Sequence, residues 1–153
     1  MKHPFEQEVL QRSSVNDGAV IPNAATATFK PYGELTAADW RREIDVNLNG
    51  AFYFANDGAS RLVKSGKPGR TVFIGSWAGH VPHSQLPAYS VSKAGLRMLM
   101  QTLALELAPR GILVNEVAPG DGQAGPSGRV FSAQPDIAEM STQRTPVRRL
   151  MSE

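Results

Sequence analysis

Three short runs of apolar and β-branched residues, GAVIP (Gly18–Pro22), RTVFIG (Arg70–Gly75) and ILVNEV (Ile112–Val117), are separated by two stretches long enough for full-length helices. Each run is bounded by Gly or Pro and has the residue types that favour a pleated, buried surface. Strand, helix, strand, helix, strand is the order of a parallel sheet, because a parallel neighbour is reached only by a crossover. Right-handed crossovers running in one direction place both helices on the same face. Parallel sheets are normally covered on both faces. Here only an amphipathic scrap at Phe5–Arg12 and an irregular tail remain for the other face. The expected fold class is therefore α/β: a partial doubly wound parallel sheet with about three strands and two long helices, one domain over residues 1–153.

The first helix opens with TAAD, Thr36–Asp39, the spacing of a capping box with Asp where Glu is usual. From there Trp40, Ile44, Leu48, Phe52, Ala55, Ala59, Leu62 and Val63 recur at three- to four-residue steps, predicting one helix up to Gly66 as its stop. The second is expected from Ala88 to about Ala108, halted by Pro109 and Gly111, with Leu96, Met98, Leu99, Met100, Leu103 and Leu107 packing. The following stretch, APGDGQAGPSG (Ala118–Gly128), is too rich in Gly and Pro for a regular element, and the tail has room for one or two short helices.

Several function classes are set aside by composition. The chain has 153 residues, with 41% hydrophobic and 20% charged, which suits a globular domain. Zero cysteines exclude a disulfide framework, a thiolate nucleophile and a cysteine-ligated metal, and suit a cytoplasmic setting. No apolar stretch approaches a membrane span. The net charge of +2 is small, and its one concentration, Arg144, Arg148 and Arg149, reads as a solvated face rather than a nucleic-acid patch. His80 and His83 lie three apart without a third ligand at suitable spacing, so no metal is expected.

The chemistry sits in SWAGHVPHSQLPAYSVSK, Ser76–Lys93. A tyrosine phenol titrates near 10, too high for easy proton transfer at neutral pH. An ammonium group four residues later on a helix projects from the same face, and a nearby positive charge favours the phenolate. Tyr89 followed by Lys93 therefore makes a proton donor and acceptor for an alcohol or ketone oxygen. Ser76 stands at the C-terminal end of a predicted strand, where open α/β sheets place their ligands. Read alone, a Tyr-x-x-x-Lys pair is also an ordinary helix-surface pair.

These motifs together resemble the short-chain dehydrogenase/reductase family, with matches from about Val20 to about Leu150. YSVSK resembles the family's Tyr-x-x-x-Lys motif, with Ser76 at its serine position. DVNLNGAF (Asp45–Phe52) is similar to the segment carrying the family's fourth catalytic residue, here Asn47. GILVNEVAPG (Gly111–Gly120) resembles the strand and Pro-Gly turn that close over the nicotinamide. PNAAT (Pro22–Thr26) keeps Asn23 and Ala24 of an Asn-Asn-Ala-Gly motif. The resemblance implies a Rossmann-like fold and an oxidoreductase interconverting an alcohol and a carbonyl on a small molecule with NAD or NADP. It implies Tyr89 as general acid or base, and Lys93 lowering its pKa and binding the nicotinamide ribose. Ser76 would orient the substrate oxygen, and Asn47 would hold a water relaying protons to Lys93. Asn23, Ala24, Pro119 and Gly120 would join Tyr89 and Lys93 around the cofactor. It also implies a homo-oligomer through the two long helices. Asn115 reads instead as an amide tying neighbouring loops.

The chain departs from the family pattern in instructive places. Family members begin with a strand, a Gly-rich turn and a helix that receives the pyrophosphate, and nothing before Val20 matches them. GDGQAG (Gly120–Gly125) is the only Gly-x-Gly-x-x-Gly, and it reads poorly as a phosphate cradle. Asp121 would stand beside the pyrophosphate, and no helical period follows Pro126. Pro22 replaces an Asn, Gly75 stands where a Ser often precedes the catalytic one, and Ala124 is the nearest counterpart of a Thr that binds the nicotinamide amide. The chain thus reads as the C-terminal portion of the fold, cut at both ends, with weak or absent cofactor affinity in isolation. The alternative reading is a cofactor-incompetent fragment acting at most as an oligomerising module.

Overall fold

The computed structural model describes residues 18–123 and 125–151, so the Phe5–Arg12 stretch lies outside the described residues. Within them the chain forms two compact units, one ending at Ala118 and one beginning at Pro119.

The first unit is a three-stranded parallel sheet in the order β1-β2-β3. Strand β1 is Ala19–Val20, β2 is Gly69–Ile74 and β3 is Ile112–Val117. Strand β1 is shorter than the sequence suggests because Pro22 has no N–H to continue the ladder. Its carbonyl still accepts from Ile74 N at 3.5 Å, so the chain stays beside β2. Residues Gly69 to Ile74 pair one for one with Ile112 to Val117.

The expected single helix before β2 has an interruption. Helix α1 (Ala37–Ile44) runs into a π-helical turn, Asp45–Asn49, and continues as α2 (Gly50–Ser65). The capping box forms: Thr36 Oγ1 accepts from Asp39 N and Asp39 Oδ2 accepts from Thr36 N, both at 3.1 Å. Lys30 Nζ adds a 2.8 Å bond to the same carboxylate oxygen, and these partners hold Asp39 well below the usual carboxylate range. Helix α2 ends at Gly66, whose φ of +66° is the left-handed cap expected of a glycine there. Helix α3 spans Pro87–Leu107, with Pro87 in the first turn where its missing N–H removes no helical bond.

Both long helices bury the same sheet face. Phe73 of β2 is fully buried among Ala51 and Ala55 of α2, Leu96 of α3 and Val114 of β3. Burial of such a side chain contributes about 2–3 kcal/mol. A second cluster joins Val20, Leu62 and Ile112. On the other face Leu113, Asn115 and Val117 are exposed, and the Asn115 amide makes no hydrogen bond to a described residue. The expected tie between loops is therefore not seen there.

In the second unit, α4 (Gly125–Ala133) packs on α5 (Pro135–Arg144). Gly122 pairs with Met151 in a single parallel bridge, and Gln123 N donates to Met151 O at 2.8 Å. The stretch read as an irregular loop thus ends in a helix. The reading failed because a proline in the first turn of a helix removes no intrahelical bond, so Pro126 does not break it.

Candidate active site

Strand β2 delivers Ser76 to the C-terminal end of the sheet, where it caps a 3₁₀ turn, Trp77–Gly79. Its Oγ accepts from Ala78 N at 3.2 Å. The same hydroxyl stands close enough to the Tyr89 phenol of α3 to favour its phenolate. That turn packs tightly on the helix: a Cβ at Gly79 would stand 2.8 Å from the carbonyl carbon of Lys93 and 2.9 Å from its oxygen. Only glycine allows this approach, and it fixes the separation between the serine loop and the helix.

One turn after Tyr89, the Lys93 side chain runs inward beneath the ring. Its Nζ lies 5.7 Å from the ring centroid and donates to Ile74 O at 2.8 Å. The residue is 3% exposed, and burial pulls its pKa down to about 8 while Glu116 pushes it back up. Serine, phenol and ammonium are therefore carried to the same end of the sheet by β2 and α3. The direction of the phenol's shift does not follow the expectation. Burial raises the Tyr89 pKa above 10, the Ser76 hydroxyl lowers it, and Glu43 raises it further. Loss of hydration around a half-buried ring outweighs the stabilisation of its phenolate.

Asn47 sits on the π turn and is 1% exposed. Its Oδ1 accepts from Thr26 N and its Nδ2 donates to Thr26 O, each at 2.8 Å, and Nδ2 also donates to Ser92 Oγ at 3.0 Å. Ser92 in turn donates to Tyr89 O at 2.7 Å. The amide thus binds the segment after β1 to the helix carrying Tyr89 and Lys93, and both of its N–H groups are spent in doing so. Asn23 and Ala24 leave the C-terminal end of β1 exposed. Pro119 and Gly120 open the second unit, directly after the segment that ends β3.

Two carboxylates in the site were not singled out from the sequence. Glu43 of α1 is fully buried: Oε1 accepts from Thr28 N, Oε2 has no partner among the described residues, and desolvation raises its pKa. Glu116 of β3 lies beneath Gly75. The two loop histidines diverge: His83 stacks edge-on against Trp77 at 4.4 Å, and His80 Nε2 stands 3.8 Å from Glu116 Oε2.

A nicotinamide ribose fits this donor set, because the Lys93 ammonium keeps two N–H donors beyond its Ile74 bond and stands 5.7 Å from the Tyr89 ring centroid. A helix, α4, does follow the Gly-x-Gly-x-x-Gly of the sequence, and the charge of Asp121 still speaks against that run as a phosphate cradle.

A family profile described as short chain dehydrogenase matches residues 14–134. Carbonyl reductase (NADPH) 2 of Sus scrofa is 32% identical over 130 residues, 85% of this chain and 53% of that protein. A 3-oxoacyl-acyl-carrier-protein reductase of Buchnera aphidicola is 38% identical over 101 residues, 66% of this chain and 41% of that protein. The chain spans about half the length of the curated relatives it matches. Among solved structures, an NAD+-bound xylitol dehydrogenase superposes with a TM-score of 0.81 at 28% identity, covering 88% of this chain and 57% of that one.

Proposed function

The chain belongs to the short-chain dehydrogenase family, and on that premise we propose that it is an oxidoreductase interconverting a small-molecule alcohol and carbonyl with NAD or NADP. The observation that carries the reading is the buried Lys93 ammonium, bound to Ile74 O and 5.7 Å from the Tyr89 ring centroid, at the end of a parallel sheet where such folds place ligands. The relatives named carbonyl reductase and 3-oxoacyl-acyl-carrier-protein reductase support the carbonyl class, and the NAD+-bound neighbour supports the cofactor class.

Bound dinucleotide would supply or accept the hydride; the side chains handle the proton. With its pKa raised by burial, Tyr89 holds its proton at neutral pH and is suited to act as the acid in carbonyl reduction. Ser76 donates to the oxygen that gains charge, and Lys93 holds a positive charge beside the phenol as it gives up its proton. Asn47 keeps the segment after β1 and α3 in register. Asn23 and Ala24, exposed after β1, are proposed for the cofactor. No described helix is long and apolar enough to cross a membrane, and the cysteine-free sequence suits a cytoplasmic protein. Exposed Phe52, Met98 and Leu105 on the two long helices support assembly with further copies.

Incubating the whole chain with NADPH or NADH and a panel of alkyl, aryl and sugar carbonyls tests the reading. Substrate-dependent consumption of either dinucleotide is the expected result; no consumption across the panel at millimolar cofactor overturns it.

A further inference from the structure

Gly75 immediately follows Ile74, whose carbonyl holds the Lys93 ammonium. A Cβ at Gly75 would collide with Glu116 Oε1 and lie 2.7 Å from its Cδ and 2.9 Å from its Cγ. The carboxylate therefore occupies the space that any other residue at position 75 would fill. It is 9% exposed, and Oε1 is buried without a hydrogen-bond partner among the described residues. Its Oε2 lies 3.9 Å from Arg97 Nε, one turn beyond Lys93 on the same helix, and 3.8 Å from His80 Nε2. A carboxylate taken out of water this far is retained only where positive charge compensates it.

We propose that Glu116, seated over Gly75 beside the residue whose carbonyl holds the Lys93 ammonium, is the positioning residue that balances that cation. The inference deepens the proposed function, since Lys93 is the cation of that site. On α3 the Tyr89 ring centroid lies 5.7 Å from Lys93 Nζ, while Arg97 and His80 stand 3.9 Å and 3.8 Å from Glu116. Strand β2 presents a backbone carbonyl, and Glu43 of α1 acts on Tyr89. Glu116 opposes the desolvation that pulls the Lys93 amine down. Gly75 and Glu116 thus work as a pair: the missing side chain on one strand makes room for the charge on the next.

The test reads Lys93 directly, without turnover. Carbon-labelled lysine is followed by NMR through a pH titration of the whole chain, with the Lys93 signal assigned by its loss in Lys93→Arg. Glu116→Gln is expected to weaken proton binding at Lys93 about tenfold, as loss of a nearby opposite charge does, while Glu116→Asp retains most of it. Gly75→Ala, which displaces the carboxylate without removing it, is expected to shift Lys93 in the same direction and serves if Glu116→Gln does not fold. An unchanged Lys93 midpoint in both Glu116→Gln and Gly75→Ala overturns the inference, even if their turnover falls. A shifted midpoint in a chain that turns over no carbonyl upholds the inference and removes the proposed function instead.

Discussion

Replacing Lys93 with Met isolates the free energy of burying an ammonium group in this site. The amine is 3% exposed, and its pKa falls from 10.5 to about 8, chiefly through desolvation. At about 1.4 kcal/mol per pH unit, that difference corresponds to about 3 kcal/mol. Between the two values the unfolded chain holds a proton that the folded chain has released. Wild-type stability therefore rises with pH across that window and is lowest below it. Lys93→Met carries no such group, and every other titration cancels in the comparison. The stability of the variant relative to wild type should accordingly be greatest at pH 7 and shrink by about 3 kcal/mol by pH 10.5. The constant remainder contains the lost bond to Ile74 O and the packing of the methionine. Urea unfolding of both proteins at several pH values measures the gap. A gap that stays flat from pH 7 to pH 10.5 refutes the reasoning, since the folded amine would then titrate as it does in water.

Asn47→Ala strips Thr26 N and O and Ser92 Oγ of partners, and should cost about 2–4 kcal/mol in urea unfolding; a loss below about 0.5 would contradict the clamp. Gly79→Ala forces a Cβ against the Lys93 backbone and should cost about 1–3 kcal/mol, read by calorimetry as a lowered Tm. Glu43→Gln keeps an acceptor for Thr28 N but removes a carboxyl whose folded pKa is raised above 4.5. Wild-type stability contributed by that protonated carboxyl declines as pH rises past 4.5, so the variant should gain on wild type between pH 4 and pH 7; a variant that instead loses stability relative to wild type over that range would contradict the burial.

Much of this architecture is legible because buried surface imposes a period. Strand β3 begins and ends where its apolar run does, and α3 is displaced by a single residue at each end. The π turn was not legible, since an extra residue in a turn hardly disturbs spacings of three and four. What accompanies it is Asn47 reaching across to Thr26, a contact between distant parts of the chain. Glu116 left a signal that went unused: it continues the buried alternation of Ile112 and Val114, where a carboxylate is out of place. Opposite it, Gly75 stands where a Ser often precedes the catalytic one, and the space its missing side chain leaves is where Glu116 lies. The acidity of Tyr89 depends on how far its ring is desolvated, which spacing along a helix does not encode.

The most direct measurement compares NADPH oxidation by wild type and Tyr89→Phe with the same carbonyl at the same cofactor concentration. Loss of the phenolic proton should slow turnover about 100- to 10,000-fold while NADPH affinity changes little. Equal rates from the two proteins would contradict the assignment of proton transfer to Tyr89.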